Sequence, residues 1–313
     1  MPTVGTKYIM KITNNRPSTY RVSWEITTTC NYSCWYCDDY YHNGKYKWPN
    51  LENTIEFFEE LCSQHEMVHV DMGGGEPTLW PELHEFCKKK PSNLFIEITS
   101  NGSRTENWWT KNHSYFSNIT ISFHPKTAEV EHIKKVLSII ADGKKDVHSF
   151  MISDYDYIDK CLELYDWIDR SGLPLSCNFK TLAPRIKDKD SRKKILEFKK
   201  YQDLKSITST KRINRNTFST KSKPTEAFLD GKLYDYNLAE LRGENNYLGW
   251  KCSAGIKNLY ISANGDLYRA ACKISGKIGN MYFDTNLAEI KEITCDKPSC
   301  GCLDDLFIEK TND

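Results

Sequence analysis

Three cysteines, Cys30, Cys34 and Cys37, stand at spacings of four and three directly after an apolar run, Tyr20 to Thr28, that reads as a strand. A short loop can turn thiolates so spaced toward one point, as proteins do when they hold iron–sulfur clusters. Three local thiolates leave one iron of a [4Fe–4S] cluster open to a small molecule. A zinc site lacking a distant ligand, or reduced structural thiols, would use the same residues. Downstream, Gly74-Gly75-Glu76-Pro77 follows the run Val68-His69-Val70-Asp71-Met72. Glycine there permits conformations that bring main chain close to a ligand, although an ordinary turn needs glycine too.

The elements that position these residues follow from periodicity. Strand patterns occur at 20–28, 67–73, 94–99, 118–123, 147–153 and 173–181. Helical patterns occupy 51–62, 127–142 and 154–171, with Asn50 and Thr127 placed as caps and Gly143 and Gly172 as stops. Strand and helix alternate about six times, which implies a parallel sheet with right-handed crossovers. The cysteine loop, the glycine turn, Thr99-Ser100-Asn101-Gly102 and Ser122-Phe123-His124 all fall at strand C-termini, the end of a parallel sheet where ligands bind.

The C-terminal stretch is a different module. Leu259–Ser262 and Asp266–Arg269 flank Ala263-Asn264-Gly265, and Asn-Gly between apolar runs is a strong hairpin signal. Folding that hairpin back could bring Cys252 and Cys272 together, and Cys295, Cys300 and Cys302 follow in a loop. Five thiols suffice for one four-cysteine cluster and not for two; a zinc knuckle is the competing use. The chain thus divides into a lead-in (1–19), a core (20–184), a basic linker or helical segment (185–246) and the cysteine-rich tail (247–313).

Composition bounds the rest. The chain has 313 residues, 39% of them apolar, ample for a core, and a formal charge of +1 that names no partner. Residues 185–223 hold fourteen Lys or Arg against four Asp or Glu. They read as a solvated helix and linker, or as a surface for an acidic segment or phosphate backbone. No apolar run reaches the ~18 residues of a membrane helix, and the N-terminal stretch lacks a signal-peptide profile. Twelve cysteines, clustered rather than spread as a disulfide framework, fit metal ligation in a reducing cytoplasm. Cys62, Cys87 and Cys161 lie in helix-like segments and read as core thiols.

Cys-x3-Cys-x2-Cys with an aromatic residue, Tyr36, before the last cysteine, followed by Gly-Gly-Glu-Pro, resembles the radical S-adenosylmethionine (SAM) superfamily. The resemblance implies an α/β partial (β/α)6 TIM-like barrel with a small C-terminal hairpin-containing Fe–S module. It implies a [4Fe–4S] cluster on Cys30, Cys34 and Cys37 whose open iron chelates SAM. Reductive cleavage would then give a 5′-deoxyadenosyl radical that abstracts a substrate hydrogen atom. Gly74, Gly75, Glu76 and Pro77 would lie against the SAM ammonium. Ser100, Asn101, Ser122 and His124 would reach its carboxylate and ribose, and Tyr36 its adenine; a structural role for His124 stays open. The tail resembles SPASM or Twitch extensions, which carry auxiliary Fe–S clusters, although its spacing departs from theirs. Cys252, Cys272 and Cys300 are the first expected ligands, with Cys295 and Cys302 competing for the fourth place. Cys177 is either a buried small residue or, if it faces the barrel interior, a hydrogen donor like that of radical epimerases. The implied partners are a peptide, protein or small-molecule substrate and a flavodoxin- or ferredoxin-type reductant. A nucleoside, nucleic-acid or carbohydrate substrate is the second reading. A non-catalytic Fe–S or zinc protein is the third.

Overall fold

The computed structural model describes residues 10–14, 19–142, 147–181, 227–233, 244–283, 290–301, 303–306 and 308–313. The basic segment 185–223 and Cys302 lie outside them. The first half is a run of strand–helix units. β1 (Lys11–Asn14) precedes β2 (Tyr20–Thr27), α1 (Leu51–Gln64), β3 (Val68–Gly74), α2 (Leu83–Lys89), β4 (Leu94–Ser100), α3 (Glu106–Asn112) and β5 (Asn118–Phe123). Then come α4 (Val130–Asp142), β6 (Val147–Ser153), α5 (Ile158–Arg170) and β7 (Leu175–Thr181). Strands β2 to β7 pair consecutively and all in parallel. The parallel sheet expected from the alternation is therefore observed, as the six-unit partial barrel that the resemblance implies.

Strand parity sorts the side chains. Val22, Trp24 and Ile26 on β2, Val70 and Met72 on β3, and Ile96 and Ile98 on β4 are buried in the helix layer's core. There Trp24 meets Phe58, Trp80 and Phe86 with ring centroids 5.5 to 6.1 Å apart. The alternate residues line the inner face. On it His69 Nδ1 lies 2.8 Å from Glu97, and Arg21 donates to the other oxygen of Glu97 at 3.4 Å. A parallel strand buried on only one side by helices shows this alternation, which is why the six strands were legible.

Within the stretch expected as a linker stand β8 (Ala227–Leu229) and β9 (Lys232–Leu233), and the tail supplies β10 (Lys251–Cys252), β11 (Asn258–Ile261), β12 (Asp266–Tyr268), β13 (Lys277–Asn280), β14 (Ile293–Thr294), α6 (Leu303–Leu306) and β15 (Lys310–Thr311). The expected Asn-Gly hairpin is present as β11–β12, with Gly265 at φ +82°. It does more than fold on itself: β11 joins β2 in parallel, so β11, β12 and β13 extend the barrel sheet at that edge. Residues 11–14, expected as part of a polar lead-in, form β1 between β15 and β8 in a second sheet. Its fully buried Ile12 packs with Cys295, Cys300 and Leu306.

Local chemistry explains the other boundary differences. Helix α4 starts at Val130 because the N–H groups of Thr127 and Ala128 both bond to His124 O in a preceding turn. Strand β7 starts after Pro174, which has no N–H to offer a ladder. Helices α2 and α3, seven residues each, are too short for their periodicity to stand out. We expect Phe58→Ala, which empties a fully buried ring site, to cost about 3–5 kcal/mol. Chemical denaturation would read this as a lower midpoint, and an unchanged midpoint would contradict the packing described.

Candidate functional site

The cysteine loop leaves the C-terminal end of β2 and is bound to the β3 turn by main chain. Gly75 N–H donates to Thr27 O and Glu76 N–H to Thr29 O, both at 2.8 Å. These contacts demand glycine. A Cβ on Gly75 would run into the Thr29 carbonyl and come within 2.8 Å of Tyr41 O. A Cβ on Gly74, at φ +111°, would meet Thr27 O at 2.6 Å. What approaches Gly74 and Gly75 in the structure is the cysteine loop. Gly73 differs from both: a Cβ there would meet nothing within 4 Å. Sequence reading passed over it, although the run of three glycines was visible.

Glu76 is 1% exposed. Its carboxylate accepts from Thr78 N and Oγ1 at 3.1 and 2.5 Å, from Ser100 Oγ at 2.8 Å and from Asn101 N at 2.7 Å. Burial pushes its carboxyl above the usual range, against the pull of these donors. The carboxylate therefore joins the β3 turn to the end of β4. Pro77 begins the single helical turn that follows. From the end of β4, the Asn101 amide donates to Asn31 Oδ1 at 2.9 Å and approaches Cys30 Sγ at 3.8 Å. Asn101 thus reaches the cysteine loop, and Ser100 the Glu76 carboxylate, through contacts to protein.

Around the thiols, Tyr32 N–H points at Cys30 Sγ from 3.3 Å, and Cys37 N–H bonds to Cys34 O at 3.0 Å. Cys34 is held well below the ordinary thiol range, first by a hydrogen bond with Cys37 and then by His124. Burial raises Cys30 to about 11. His124 Nδ1 lies 2.6 Å from Tyr36 Oη and 3.5 Å from Cys34 Sγ, and the Tyr36 and His124 rings are parallel within 4°. His124 and Tyr36 are therefore brought to each other and to Cys34. Ser122 is half-buried on β5, on the face opposite the buried Ile121 and Phe123. Trp35, which reaches Asp154 at the end of β6 through Nε1 at 3.1 Å, is 55% exposed.

Glu25 is a residue that motif reading missed. It accepts from Tyr41 Oη at 2.8 Å and Tyr40 Oη at 3.4 Å, and it is hydrogen-bonded to Tyr260 on β11. One inner-face carboxylate thus ties the segment after Cys37 to the tail hairpin. The hint was its parity with Arg21 and Ser23 on a strand whose other face is apolar.

Cys177 does not face the barrel interior. It alternates with Leu175 and Phe179 on the helix-facing side of β7, where Phe179 packs on Tyr165 of α5. Burial raises its thiol to about 12, with Asp169 of α5 adding to the rise. The hydrogen-donor role required the other face, which carries Ser176 bonded to His148 at 2.8 Å. Cys62, Cys87 and Cys161 are buried core thiols, as expected.

In the tail, Cys252, Cys272 and the pair Cys295 and Cys300 come from three separate segments and act on one another electrostatically. Hydrogen bonds fix them: Cys295 N–H to Trp250 O at 2.7 Å, Cys300 N–H to Asn245 O at 2.8 Å, and Cys272 N–H to the buried carboxylate of Asp305 at 2.7 Å. Among the described residues no three Cys, His, Asp or Glu side chains are drawn in around one point as a single ion requires. At the first loop the donor chemistry fits a cluster: a thiolate-disposed Cys34, N–H groups aimed at sulfur, and open backbone at Gly73.

Residues 24–151 match the family model described as "Radical SAM superfamily". An S-adenosylmethionine-dependent nucleotide dehydratase from Thermoplasmatales archaeon (strain ISO4-H5) is 34% identical over 85 residues, 26% of this chain and 29% of that protein. A probable GTP 3′,8-cyclase from Thermococcus kodakarensis is 34% identical over 83 residues, 25% of this chain and 26% of that protein. The chain thus aligns with less than a third of either relative. In three dimensions it is similar to anSMEcpe with bound AdoMet, at TM-score 0.56 and 13% identity, covering 86% of this chain and 79% of that one. It is also similar to Streptococcus suis SuiB bound to precursor peptide SuiA, at TM-score 0.52 and 14% identity, covering 86% and 64%. At those identities the likeness is one of fold.

We expect Gly75→Ala to fold but to hold less iron and sulfide after anaerobic reconstitution, because the new methyl displaces the cysteine loop. Gly73→Ala should hold as much as the parent, and equal loss in both would contradict the assignment of their roles. The cysteine loop and glycine turn sit within residues 24–151, the span that matches the radical SAM superfamily model, on the fold that the solved neighbours share.

Proposed function

We propose that the protein is a radical SAM enzyme acting on a peptide or protein substrate, with Cys30, Cys34 and Cys37 as the cluster ligands. The observation that carries the reading is the juxtaposition of these thiols with the glycine turn and the strand ends of β4 and β5. A cluster bound there would supply one-electron cleavage of SAM to methionine and a 5′-deoxyadenosyl radical. The chain's own residues do the placing. Gly73 offers backbone without a side chain in the way, and Ser122 supplies a polar group from the barrel's inner face. Glu76, Ser100 and Asn101 hold the loop and the strand ends in register. Tyr36, stacked on His124, walls one side of the site and helps exclude water.

The peptide reading is supported by the fold likeness to anSMEcpe, solved also with AdoMet and a Kp18Cys peptide, and to SuiB with its precursor peptide, alignments that cover 86% of this chain and reach beyond the barrel. In this reading the tail is a SPASM- or Twitch-like module, in which Cys252, Cys272, Cys295 and Cys300 hold an auxiliary [4Fe–4S] cluster. A flavodoxin- or ferredoxin-type protein would supply electrons, in the cytoplasm. No helix among the described residues is long and apolar enough to cross a membrane. The second reading, a nucleotide substrate, is favoured by the names of the sequence relatives that align with the core.

Reconstituted protein given dithionite and SAM should form 5′-deoxyadenosine and methionine, measured by chromatography. The Cys34→Ala variant should form neither. A cluster-loaded parent that forms no 5′-deoxyadenosine would contradict the enzyme reading. Turnover stimulated by nucleoside triphosphates rather than by peptides would move the substrate assignment to the second reading.

A further inference from the structure

Lys310 is the unusual residue of the tail. It is 3% exposed and lies on β15, directly opposite Cys252 of β10 and Ile12 of β1. Lysine is rarely buried so fully, because its ammonium loses water and needs compensation. Its Nζ donates to two main-chain carbonyls, Asp305 O at 2.6 Å and Ile308 O at 2.8 Å, and lies 5.3 Å from the centre of the Tyr247 ring. These are dipoles and a ring quadrupole, weaker compensation than a full negative charge. The carboxylate of Asp305, which accepts from the N–H groups of Ala271 and Cys272 at 2.9 and 2.7 Å, also feels the ammonium. Directly opposed residues of an antiparallel ladder share a face, which puts the Lys310 side chain beside that of Cys252. The Tyr247 ring next to the ammonium packs with Cys295 and Cys300.

We infer that Lys310 is the built-in counter-charge of the tail site, a positioning residue for an iron–sulfur cluster held by Cys252, Cys272, Cys295 and Cys300. The inference rests on the auxiliary-cluster reading above. Four thiolates around a cluster leave a net negative charge that grows by one when an electron is added. A fixed ammonium nearby favours the more negative form, so it raises the reduction potential and lowers the cost of gathering thiolates in a buried place. The reduction is a one-electron step, with the electron supplied by an external reductant.

The test uses the full chain carrying Cys30→Ala, Cys34→Ala and Cys37→Ala, so that any remaining cluster belongs to the tail. Into it are placed Lys310→Met, which keeps the apolar stem and removes the charge, and Lys310→Arg, which keeps the charge. Iron and sulfide are counted after anaerobic reconstitution. Potentials are read by dithionite titration followed by electron paramagnetic resonance. The inference expects Lys310→Met to move the potential to a more negative value, or to lose tail iron, while Lys310→Arg stays near the parent. An iron-loaded Lys310→Met with the parent's potential would overturn it, as would equal loss of iron in both variants. If the parent with intact Lys310 holds no iron and sulfide, or only zinc, the auxiliary-cluster reading itself fails and takes the inference with it.

Discussion

Two backbone hydrogen bonds, from Gly75 to Thr27 and from Glu76 to Thr29, are the constraint on which the rest of the site depends. They hold the loop that carries Cys30 against the turn after β3, at a separation that leaves no room for a Cβ on Gly75. Because the loop is fixed by main chain, its side chains remain available for chemistry. The four-way hydrogen-bonded carboxylate of Glu76 then passes the same fixation on to β4, and Asn101 returns it to the loop. A buried polar group satisfied this fully behaves as a joint: removing one partner leaves the others exposed to the full cost of desolvation.

The second organising feature is the continuity of barrel and tail. β11 lies parallel to β2, so the sheet that bears the cysteine loop at its end also receives the tail hairpin at its edge. Glu25 reinforces the junction by drawing Tyr40 and Tyr41 from one side and Tyr260 from the other. The N-terminal strand β1 seals the tail's own sheet between β15 and β8, and it places Ile12 against Cys295 and Cys300. Neither half of the protein is therefore an independent appendage of the other.

How much of this was readable in the sequence follows from what sequence patterns encode. Strands β2 to β7 were legible because each packs one face on helices and turns the other inward, which prints a period of two. The cysteine and glycine motifs were legible because chemistry fixes residue type and spacing together. The hairpin was legible through Asn264-Gly265. What could not be read was pairing between distant segments. Nothing local announces that Lys11–Asn14 will join strands near residues 228 and 310, or that Glu25 will collect three phenols. The face of Cys177 was itself legible: Leu175, Cys177 and Phe179 alternate with Ser176, Asn178 and Lys180, which puts the thiol with the apolar, helix-facing set. The protein contacts of the glycine turn and Glu76 are a second thing that no motif announces, and the position with open space is the neighbouring Gly73.

The central claim is that three thiolates on one loop hold a cluster with a position left open for SAM. The most direct measurement is the electron paramagnetic resonance spectrum of the anaerobically reconstituted, dithionite-reduced chain, recorded with and without SAM. The account predicts that SAM changes part of the spectrum in the parent and none of it when Cys30, Cys34 and Cys37 are alanine. A spectrum indifferent to SAM in the cluster-loaded parent, or the same SAM response in the alanine variant, would contradict it.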